Sequence, residues 1–318
     1  MSGRRLFELV EGTSKKFWEI TKPIYSTSPH RYACQLVLLP DDRFVQTWPA
    51  SFKGAHSKNA SNNAGIGVFE RDGQLLGKLS EIERAWEPTA CASDRSGRVI
   101  ALASERFAAK GNHERRLVLW RTDDLIAGGK PLRVINDACE VNALVFSPDG
   151  ASLLFFEDDL HRVPVEGGAI EVIKSEARMG RVTMMSVSDR GTVCISNGES
   201  AALLTMAGKK LFHVESPAFS RKEGPIPVAD QAIVTPEGIV ITACGSVKKR
   251  WPKNVQLRYK KSPGLESGYV GVHDAKGKLL HTQPRSKPGY VRTMALMPGR
   301  AVAVAQSGLV EMVPWPLR

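Results

Sequence analysis

Short apolar segments alternate with tight polar turns along almost the whole chain. Six segments share one pattern, in which a short apolar strand leads through a turn containing Pro, Asp or Gly into a second β-rich strand. The copies begin at Cys34, Thr89, Val141, Thr183, Gln231 and Arg292. Successive turns are 55, 53, 41, 47 and 61 residues apart when measured between Asp42, Gly97, Gly150, Gly191, Gly238 and Gly299. The shortest spacing matches a repeat of about 40–50 residues built from four strands, and the longer ones contain insertions.

A second hairpin follows the first in several of these repeats. Examples begin at Gly67, Ala202 and Tyr269, and each alternates apolar and polar residues on both sides of a Gly-containing turn. Two hairpins supply four strands, which make one propeller blade. No apolar stripe at helical spacing persists, so we expect no long helix. The sequence therefore predicts an all-β fold, a single β-propeller of six four-stranded blades, with seven blades as the alternative.

The two ends of the chain are predicted to meet. The sixth repeat supplies only three strands, whereas residues 1–30 read as a hairpin of the second type. We expect a strand containing Phe17, Trp18 and Ile20 to complete the last blade, which would remove two exposed sheet edges. Residues 31–318 then form the blades. The alternative is that the N-terminal hairpin is a partial extra blade.

Two short segments resemble WD40-type propellers. Residues 145–150, Val-Phe-Ser-Pro-Asp-Gly, resemble the turn of their inner hairpin. Residues 118–121, Val-Leu-Trp-Arg, resemble the end of their third strand, with Arg121 where Asp is usual. The Gly-His pair of WD40 repeats is absent from every repeat. The resemblance therefore implies a divergent, WD40-like propeller.

The N-terminal segment has a second resemblance. Residues 4–20 resemble the opening of a WGR domain, a small β-module of poly(ADP-ribose) polymerases and many bacterial proteins that can contact nucleic acid. The Trp-Gly-Arg motif is absent, because residues 21–31 read Thr-Lys-Pro-Ile-Tyr-Ser-Thr-Ser-Pro-His-Arg. The resemblance therefore assigns no DNA-contacting residue to this chain. We interpret the segment as a closing strand with a WGR-like sequence. A remnant WGR hairpin is compatible with this interpretation. The resemblance suggests a bacterial, multi-component system.

Composition indicates the compartment and the class of partner. The five cysteines are far apart without a Cys-x-x-Cys pair, which favours a reducing cytoplasm and argues against a zinc site. No apolar run approaches the ~18 residues of a membrane span, and the first residues lack the apolar run of a signal peptide. We therefore expect a cytoplasmic protein that does not contact a membrane. Cations exceed acids by 44 − 33 = 11, which favours an acidic partner or simply solubility.

Signatures of catalysis are missing from the sequence. The predicted innermost strands carry no Asp, Glu or His, and the seven histidines show no metal-ligand spacing. Neither a Gly-x-Ser-x-Gly motif nor a P-loop is present. We expect no catalytic residue, no cofactor and no bound metal, and an enzyme is the least favoured hypothesis.

The densest positive charge lies in residues 246–261. Seven cations occur in these sixteen residues without an acid, interleaved with two aromatic side chains. Cations can neutralise phosphates, and aromatic rings can stack on bases or anchor a partner protein. The predicted contact residues are Lys248, Lys249, Arg250, Trp251, Lys253, Arg258, Tyr259, Lys260 and Lys261. The alternative is a solvated loop whose Trp251 and Tyr259 pack back onto the blade.

Propeller topology predicts two faces of different charge. Connections between blades and those between strands two and three emerge on one face, and the hairpin turns emerge on the other. On the first face we expect the 248–261 cluster and Lys22, His30, Arg31, Lys53, Lys58, Arg106, Lys110, Arg115, Arg178, Arg181, Arg221, Lys222, Arg285 and Lys287. On the second we expect Asp41, Asp42, Asp72, Asp94, Asp123, Asp124, Asp149, Glu166, Asp189, Glu237 and Asp274.

These observations favour a non-enzymatic interaction scaffold that binds a partner protein through its basic, loop-rich face. The rival hypothesis is nucleic-acid binding through the same face, with steep salt dependence and little sequence preference. A propeller enzyme is the third hypothesis.

Overall fold

A computed structural model shows the chain as a series of antiparallel sheets. It divides into two compact units, Met1–Leu153 with Val163–Ala169 and Leu154–Arg162 with Ile170–Arg318. The structure describes residues 4–10, 13–20, 36–48, 65–70, 74–79, 86–107, 113–136, 138–197, 200–214, 231–244, 269–285, 291, 293–297, 301–306 and 309–314.

The first sheets follow the predicted repeats. An N-terminal two-stranded sheet consists of β1 (Arg4–Val10) and β2 (Thr13–Ile20). Blade 1 consists of β3 (Leu36–Leu38), β4 (Phe44–Trp48), β5 (Gly65–Phe69) and β6 (Leu75–Leu79). Blade 2 consists of β7 (Glu87–Ser93), β8 (Val99–Phe107), β9 (His113–Arg121), helix α1 (Thr122–Ile126) and β10 (Arg133–Asn136).

The later sheets repeat the same strand order. Blade 3 consists of β11 (Leu144–Phe146), β12 (Ser152–Glu157), β13 (Asp159–Pro164) and β14 (Glu171–Ile173). Blade 4 consists of β15 (Met184–Val187), β16 (Thr192–Ser196), β17 (Ala201–Thr205) and β18 (Lys210–Val214). Blade 5 consists of β19 (Gln231–Val234), β20 (Val240–Cys244), β21 (Tyr269–His273) and β22 (Leu279–Pro284). The last sheet consists of β23 (Thr293–Met297), β24 (Ala301–Gln306) and β25 (Leu309–Pro314).

The predicted all-β propeller fold is confirmed. Each blade pairs its strands in chain order, and five of the described sheets have four strands. Among the described residues the last sheet has three strands, and β2, which contains Phe17, Trp18 and Ile20, pairs with β1. Completion of the last blade by residues 1–30, and the choice between six and seven blades, stay predictions.

A recurrent turn explains why the first hairpins form where the sequence repeats. Gly97, Gly150, Gly191 and Gly238 have φ values between 71° and 93°, a conformation that glycine adopts without steric cost. The residue three positions earlier accepts the glycine N–H on its carbonyl oxygen at 2.9–3.0 Å. Its side-chain oxygen accepts a backbone N–H from the far side of the turn at 2.8–3.2 Å. These earlier residues are Asp94, Ser147, Ser188 and Thr235.

The core lies on the central strands of the blades. In blade 2, consecutive residues of β8 from Ile100 to Ala103 are buried, as are Leu117 and Leu119 on β9. Because successive strand residues point to opposite faces, both faces of this sheet are covered. Burial of each large aliphatic side chain stabilises the fold by about 1.5–3 kcal/mol. This explains why the inner strands read as continuous apolar runs and the outer hairpins as alternating ones.

Helix α1 is an element that the strand pattern does not predict. It follows β9 directly, and its Asp123 and Asp124 lie in the first turn, where negative charge favours the helix dipole. Leu125 is fully buried, and Ala127 N–H donates to Asp123 O at 2.9 Å. Within the described residues no helix has the length and apolar character needed to cross a membrane.

The buried cysteines are expected to resist alkylation in the native protein. Burial raises the pKa of the Cys91 and Cys194 thiols to about 12, and the thiolate is the reactive species. Cys139 is partly exposed and serves as the internal control. Iodoacetamide at about pH 8 should modify Cys139 in the native state, and Cys91 and Cys194 only after denaturation. Peptide mass spectrometry reads each site, and native labelling of Cys91 or Cys194 would contradict the burial.

Candidate interaction face

The basic insertion connects the two central strands of blade 5. β20 pairs antiparallel with β21, and Cys244 lies opposite Tyr269. Residues 245–268 therefore leave and re-enter the sheet at the same end. The predicted position between strands two and three is confirmed. The nine predicted contact residues, from Lys248 to Lys261, lie outside the described residues.

The strands that carry the insertion are deeply buried. Val240, Ile241, Thr242 and Ala243 on β20 have no exposed surface, and neither has Val270 on β21. The apolar side chains among them belong to clusters that join neighbouring sheets. A loop anchored at both ends in such strands has a fixed base, because rearranging the base would expose several buried aliphatic side chains.

A buried histidine stabilises the same two strands. His273 has no exposed surface, and its Nδ1 donates to Gly277 O at 3.4 Å. With Nδ1 protonated, Nε2 accepts a hydrogen bond from the Thr242 hydroxyl at 3.0 Å. The ring stacks on Phe212 with 6.1 Å between centroids. Burial lowers the pKa of His273, opposed by the hydrogen bond to Gly277 and the charge of Asp274. The imidazole is therefore predominantly neutral at pH 7.

Acidification is expected to destabilise blade 5 through His273. Its folded-state pKa is lowered, so below the unfolded value of about 6.5 the unfolded chain binds more protons. The contribution of neutral His273 to the free energy of unfolding is complete above about pH 6.5, and it is lost as the pH falls through the pKa of His273 in the folded state. Thermal unfolding between about pH 8 and pH 5 should show a larger loss of Tm for the native sequence than for H273Q. An equal pH dependence of the two proteins would rule out this role of His273.

The corresponding end of blade 2 carries a cluster around Trp86. Trp86 is 5% exposed and precedes β7. The guanidinium of Arg116 lies 4.3 Å from its ring centroid, and that of Arg106 lies 4.8 Å away. Cation–π contacts contribute about 0.5–1 kcal/mol when exposed and about 2 kcal/mol when desolvated. The two guanidinium groups thus hold a buried aromatic ring at this edge of the blade.

The other polar contacts of this cluster are ion pairs. Arg106 Nη2 lies 2.5 Å from Glu114 Oε2, and Arg115 Nη2 lies 3.6 Å from Glu140 Oε2. Arg115 Nε is 3.9 Å from Glu105 Oε2. The arginines are about one-third exposed, so each pair contributes about 0–1 kcal/mol. Arg106 and Arg115 are predicted cations of the basic face, but neighbouring carboxylates offset their charge.

A small cavity lies beside these pairs. Its volume is about 10 Å³, room for about one water molecule and far below the ~300–1,000 Å³ of small-molecule sites. It is lined by Thr89, Ala103, Ser104, Glu105, Arg115, Arg116, Cys139 and Val141. A substrate does not fit in this cavity.

One expectation about the innermost strands is wrong. β7 begins at Glu87, two residues before the predicted strand, so a first strand does carry a carboxylate. Glu87 lies opposite Glu105 in the register of β7 with β8, and both are 8% exposed. The alternating pattern could not reveal Glu87, because Pro88 follows it and a proline inside a run normally argues against a strand.

The predicted division of charge between two faces stays a prediction, and several described residues depart from the expected pattern. Arg178 and Arg181 are exposed on the connection between blades 3 and 4. Turn acids such as Asp94 and Asp149 accept backbone N–H groups at 2.8–3.0 Å, as turn chemistry requires. Arg285, expected on the basic face, is 2% exposed. Exposed cations also occur in hairpin turns of blades 4 and 5, at Lys209, Lys210, Lys276 and Lys278. The turns are therefore not uniformly acidic.

The repeated four-stranded sheets define the protein as a β-propeller. Solved structures with this fold include a chain of the COPII outer coat vertex on membranes (TM-score 0.61, 10% identity, 87% of this chain and 70% of that chain). U3-55K is similar (TM-score 0.59, 10% identity, 92% and 79%). So is Kuenenia stuttgartiensis hydrazine synthase (TM-score 0.57, 13% identity, 91% and 79%). At these identities the likeness shows the fold alone.

Comparisons of sequence add no relative. No protein-family model matches the chain, and no curated protein matches it. The resemblance of residues 4–20 to a WGR domain is therefore unsupported. Since the similar structures include a hydrazine synthase, the fold does not decide between a scaffold and an enzyme.

Proposed function

We propose that the protein is a non-enzymatic propeller scaffold that binds a partner protein through the basic insertion of blade 5. The observation that carries this proposal is the pair of strands from which residues 245–268 extend. These residues extend from two hydrogen-bonded strands in which residues 240–243 and Val270 have no exposed surface, with Cys244 opposite Tyr269 at their base. Binding residues are commonly presented in this way, on a loop held by a rigid scaffold.

The charge of the insertion supports an acidic partner. In blade 2, the arginines at the corresponding edge are offset by Glu105, Glu114 and Glu140. Residues 246–261 contain seven cations and no acid, so the segment has no such internal counter-charge. An acidic surface of another protein would supply it.

The aromatic residues of the insertion favour a protein as this partner. Trp251 and Tyr259 lie among the cations, and Trp, Tyr and Arg are the side chains most enriched at the energetic centres of protein interfaces. A role within an assembly is in keeping with the likeness to a coat-vertex chain.

The spacing of the cysteines favours a reducing compartment, the cytoplasm.

Co-purification from native cells tests this function. In one variant Lys248, Lys249, Arg250, Lys260 and Lys261 are changed to Glu. In a matched control, five exposed cations elsewhere are changed to Glu, namely Lys78, Arg121, Lys130, Lys174 and Arg190. Both variants change the net charge equally. We expect the native sequence and the control to retain a stoichiometric protein partner that the insertion variant loses. Equal recovery by the insertion variant would refute the proposal.

Nucleic-acid binding is the second candidate, because cations interleaved with aromatic rings also suit phosphates and bases. Fluorescence anisotropy with a short DNA duplex and a single-stranded RNA, at about 50 and 200 mM salt, distinguishes the protein-binding function from the nucleic-acid-binding function. A scaffold should bind both probes weakly at either salt concentration. Tight binding that falls by about 10³-fold or more with salt, and is lost in the insertion variant, would establish the nucleic-acid function instead.

A further inference from the structure

The outer strands of blades 1, 4 and 5 share a β-bulge at an equivalent position. In blade 1 the register of β5 with β6 shifts between Val68 and Phe69, which leaves Leu76 as the extra residue. The same shift leaves Leu211 as the extra residue of β18 and Leu280 as that of β22. A bulge re-aims the side chain that it contains. In all three blades that side chain is a leucine.

In blade 1 this leucine is covered by an acidic helix of the same unit. Leu76 is partly buried and packs in one apolar cluster with Leu125 and Ile126 of α1. The helix lies directly on β6, since a Cβ atom at Gly77 would be 2.3 Å from the carbonyl oxygen of Ile126. The first turn of α1 bears Asp123 and Asp124. An acidic helix with aliphatic side chains thus completes this bulge.

In blades 4 and 5 the equivalent leucines are partly exposed to solvent. Leu211 is 37% exposed and Leu280 is 54% exposed. The connection between β21 and β22 is a tight turn and not a helix. Gly277 of this turn packs on Phe212, because a Cβ atom added at Gly277 would lie 2.7 Å from Phe212 Cβ. This turn therefore occupies the position next to Leu211 but leaves the bulge leucine itself exposed.

Exposed lysines flank these leucines. Lys209 and Lys210 precede Leu211, and Lys278 precedes Leu279 and Leu280. All three lysines are exposed, and no ion pair of their ammonium groups occurs within the described part of the chain. The adjacent carboxylates, Glu176 and Asp274, accept the backbone N–H groups of Lys210 and Lys278 at 2.9 Å. With three lysines and two carboxylates beside them, the leucines lie in an area with a small excess of positive charge.

We propose that this leucine–lysine surface, formed by Lys209, Lys210, Leu211, Lys278, Leu279 and Leu280, binds an acidic helical segment of a partner protein. Helix α1 on blade 1 is the intramolecular precedent for the helical form of that segment, and the exposed lysines favour its acidic charge. The surface lies on blades 4 and 5 away from residues 248–261 in sequence, and the proposal does not depend on the basic insertion. It adds a second partner-binding surface to the scaffold.

A designed peptide tests this surface directly. The probe is a fluorescein-labelled amphipathic helix with Leu at positions i, i+3, i+4 and i+7 and Glu on its polar face. A control peptide has Lys at every Glu position. The proteins are the native sequence, the double variant L211D/L280D, and V172D, which alters a 59% exposed aliphatic residue on the outer strand of blade 3.

We expect the acidic peptide to bind the native protein and V172D with equal affinity, and the double variant at least about tenfold more weakly. The basic peptide should not bind. The variant with five glutamates in the insertion should retain the acidic peptide, so this proposal and the proposed function fail separately.

Three results would overturn the proposal. The first is equal affinity of the native protein and L211D/L280D, both checked for an unchanged Tm. The second is a lack of saturable binding of the acidic peptide. In that case the lysines would serve to protect exposed sheet edges from pairing with another chain. The third is a sedimentation experiment in which the native protein self-associates and the double variant does not, which would assign the surface to a second copy of the chain.

Discussion

Replacement of Trp86 by alanine is expected to destabilise the protein by about 3–5 kcal/mol. Trp86 is 5% exposed and belongs to the apolar cluster that contains Ile100 and Leu102. The substitution removes the buried ring and also the π-face that the guanidinium groups of Arg106 and Arg116 contact. Both arginines then lose a favourable contact while they stay partly buried.

Chemical denaturation of the two proteins measures this difference, with L75A as the control. Leu75 lies on the outer strand of blade 1 and is 41% exposed, so its truncation should change the free energy of unfolding by about 0.5 kcal/mol or less. A loss of stability in W86A no larger than that of L75A would show that the cluster around Trp86 does not stabilise blade 2.

Gly208→Ala is expected to be the second most damaging change, at about 3 kcal/mol or more. Gly208 has φ +77°, and an added Cβ atom would lie 2.4 Å from the carbonyl oxygen of Lys174 and 3.1 Å from Ile173 Cγ2. The Gly208 carbonyl also accepts the Glu176 N–H at 3.0 Å. A side chain at this position therefore forces the turn of blade 4 away from the end of β14.

Gly238→Ala isolates the backbone part of that effect. Gly238 has φ +93° but nothing within 4 Å of an added Cβ atom, so only the left-handed conformation is penalised, at about 1–2 kcal/mol. Equilibrium unfolding of both variants should place G208A clearly below G238A in stability. Equal stability of the two variants would show that the turn of blade 4 has room to move at no cost.

The contact at Gly208 recurs between other neighbouring blades. Gly277, in the corresponding turn of blade 5, packs on Phe212 of β18. In the first unit, Ile126 after β9 packs on Gly77 of β6 in the same way. In each case the connection between the third and fourth strands of one blade lies on the fourth strand of the preceding blade. Close backbone approach explains glycine at one side of each contact.

The repeated hairpins could be predicted because their determinants are local. A left-handed turn residue such as Gly150 and a polar residue such as Ser147 recur at fixed spacing, and both act within one turn. The buried central strands are continuous apolar runs, which sequence alone also shows. The sequence pattern does not reveal helix α1, because five residues are too few for a helical period to appear.

The charged cluster of blade 2 could not be predicted from charge runs. Glu105 meets Arg115 because β8 and β9 pair in a particular register. Trp86, from the segment before β7, lies against Arg106 and Arg116 through tertiary folding. The bulge leucines also depend on register. In contrast, the position of the basic insertion was predictable, since it follows from counting strands within one repeat. Its nine contact residues stay predictions.

Site-specific photo-crosslinking at Trp251 tests the central claim most directly. A benzophenone amino acid replaces Trp251 in the full chain, expressed in native cells, and Val172 on the outer strand of blade 3 serves as the control position. A scaffold that binds a partner through the insertion should give one dominant protein adduct from position 251 and none of that mass from position 172. Adducts to nucleic acid, or identical adducts from both positions, would contradict the claim.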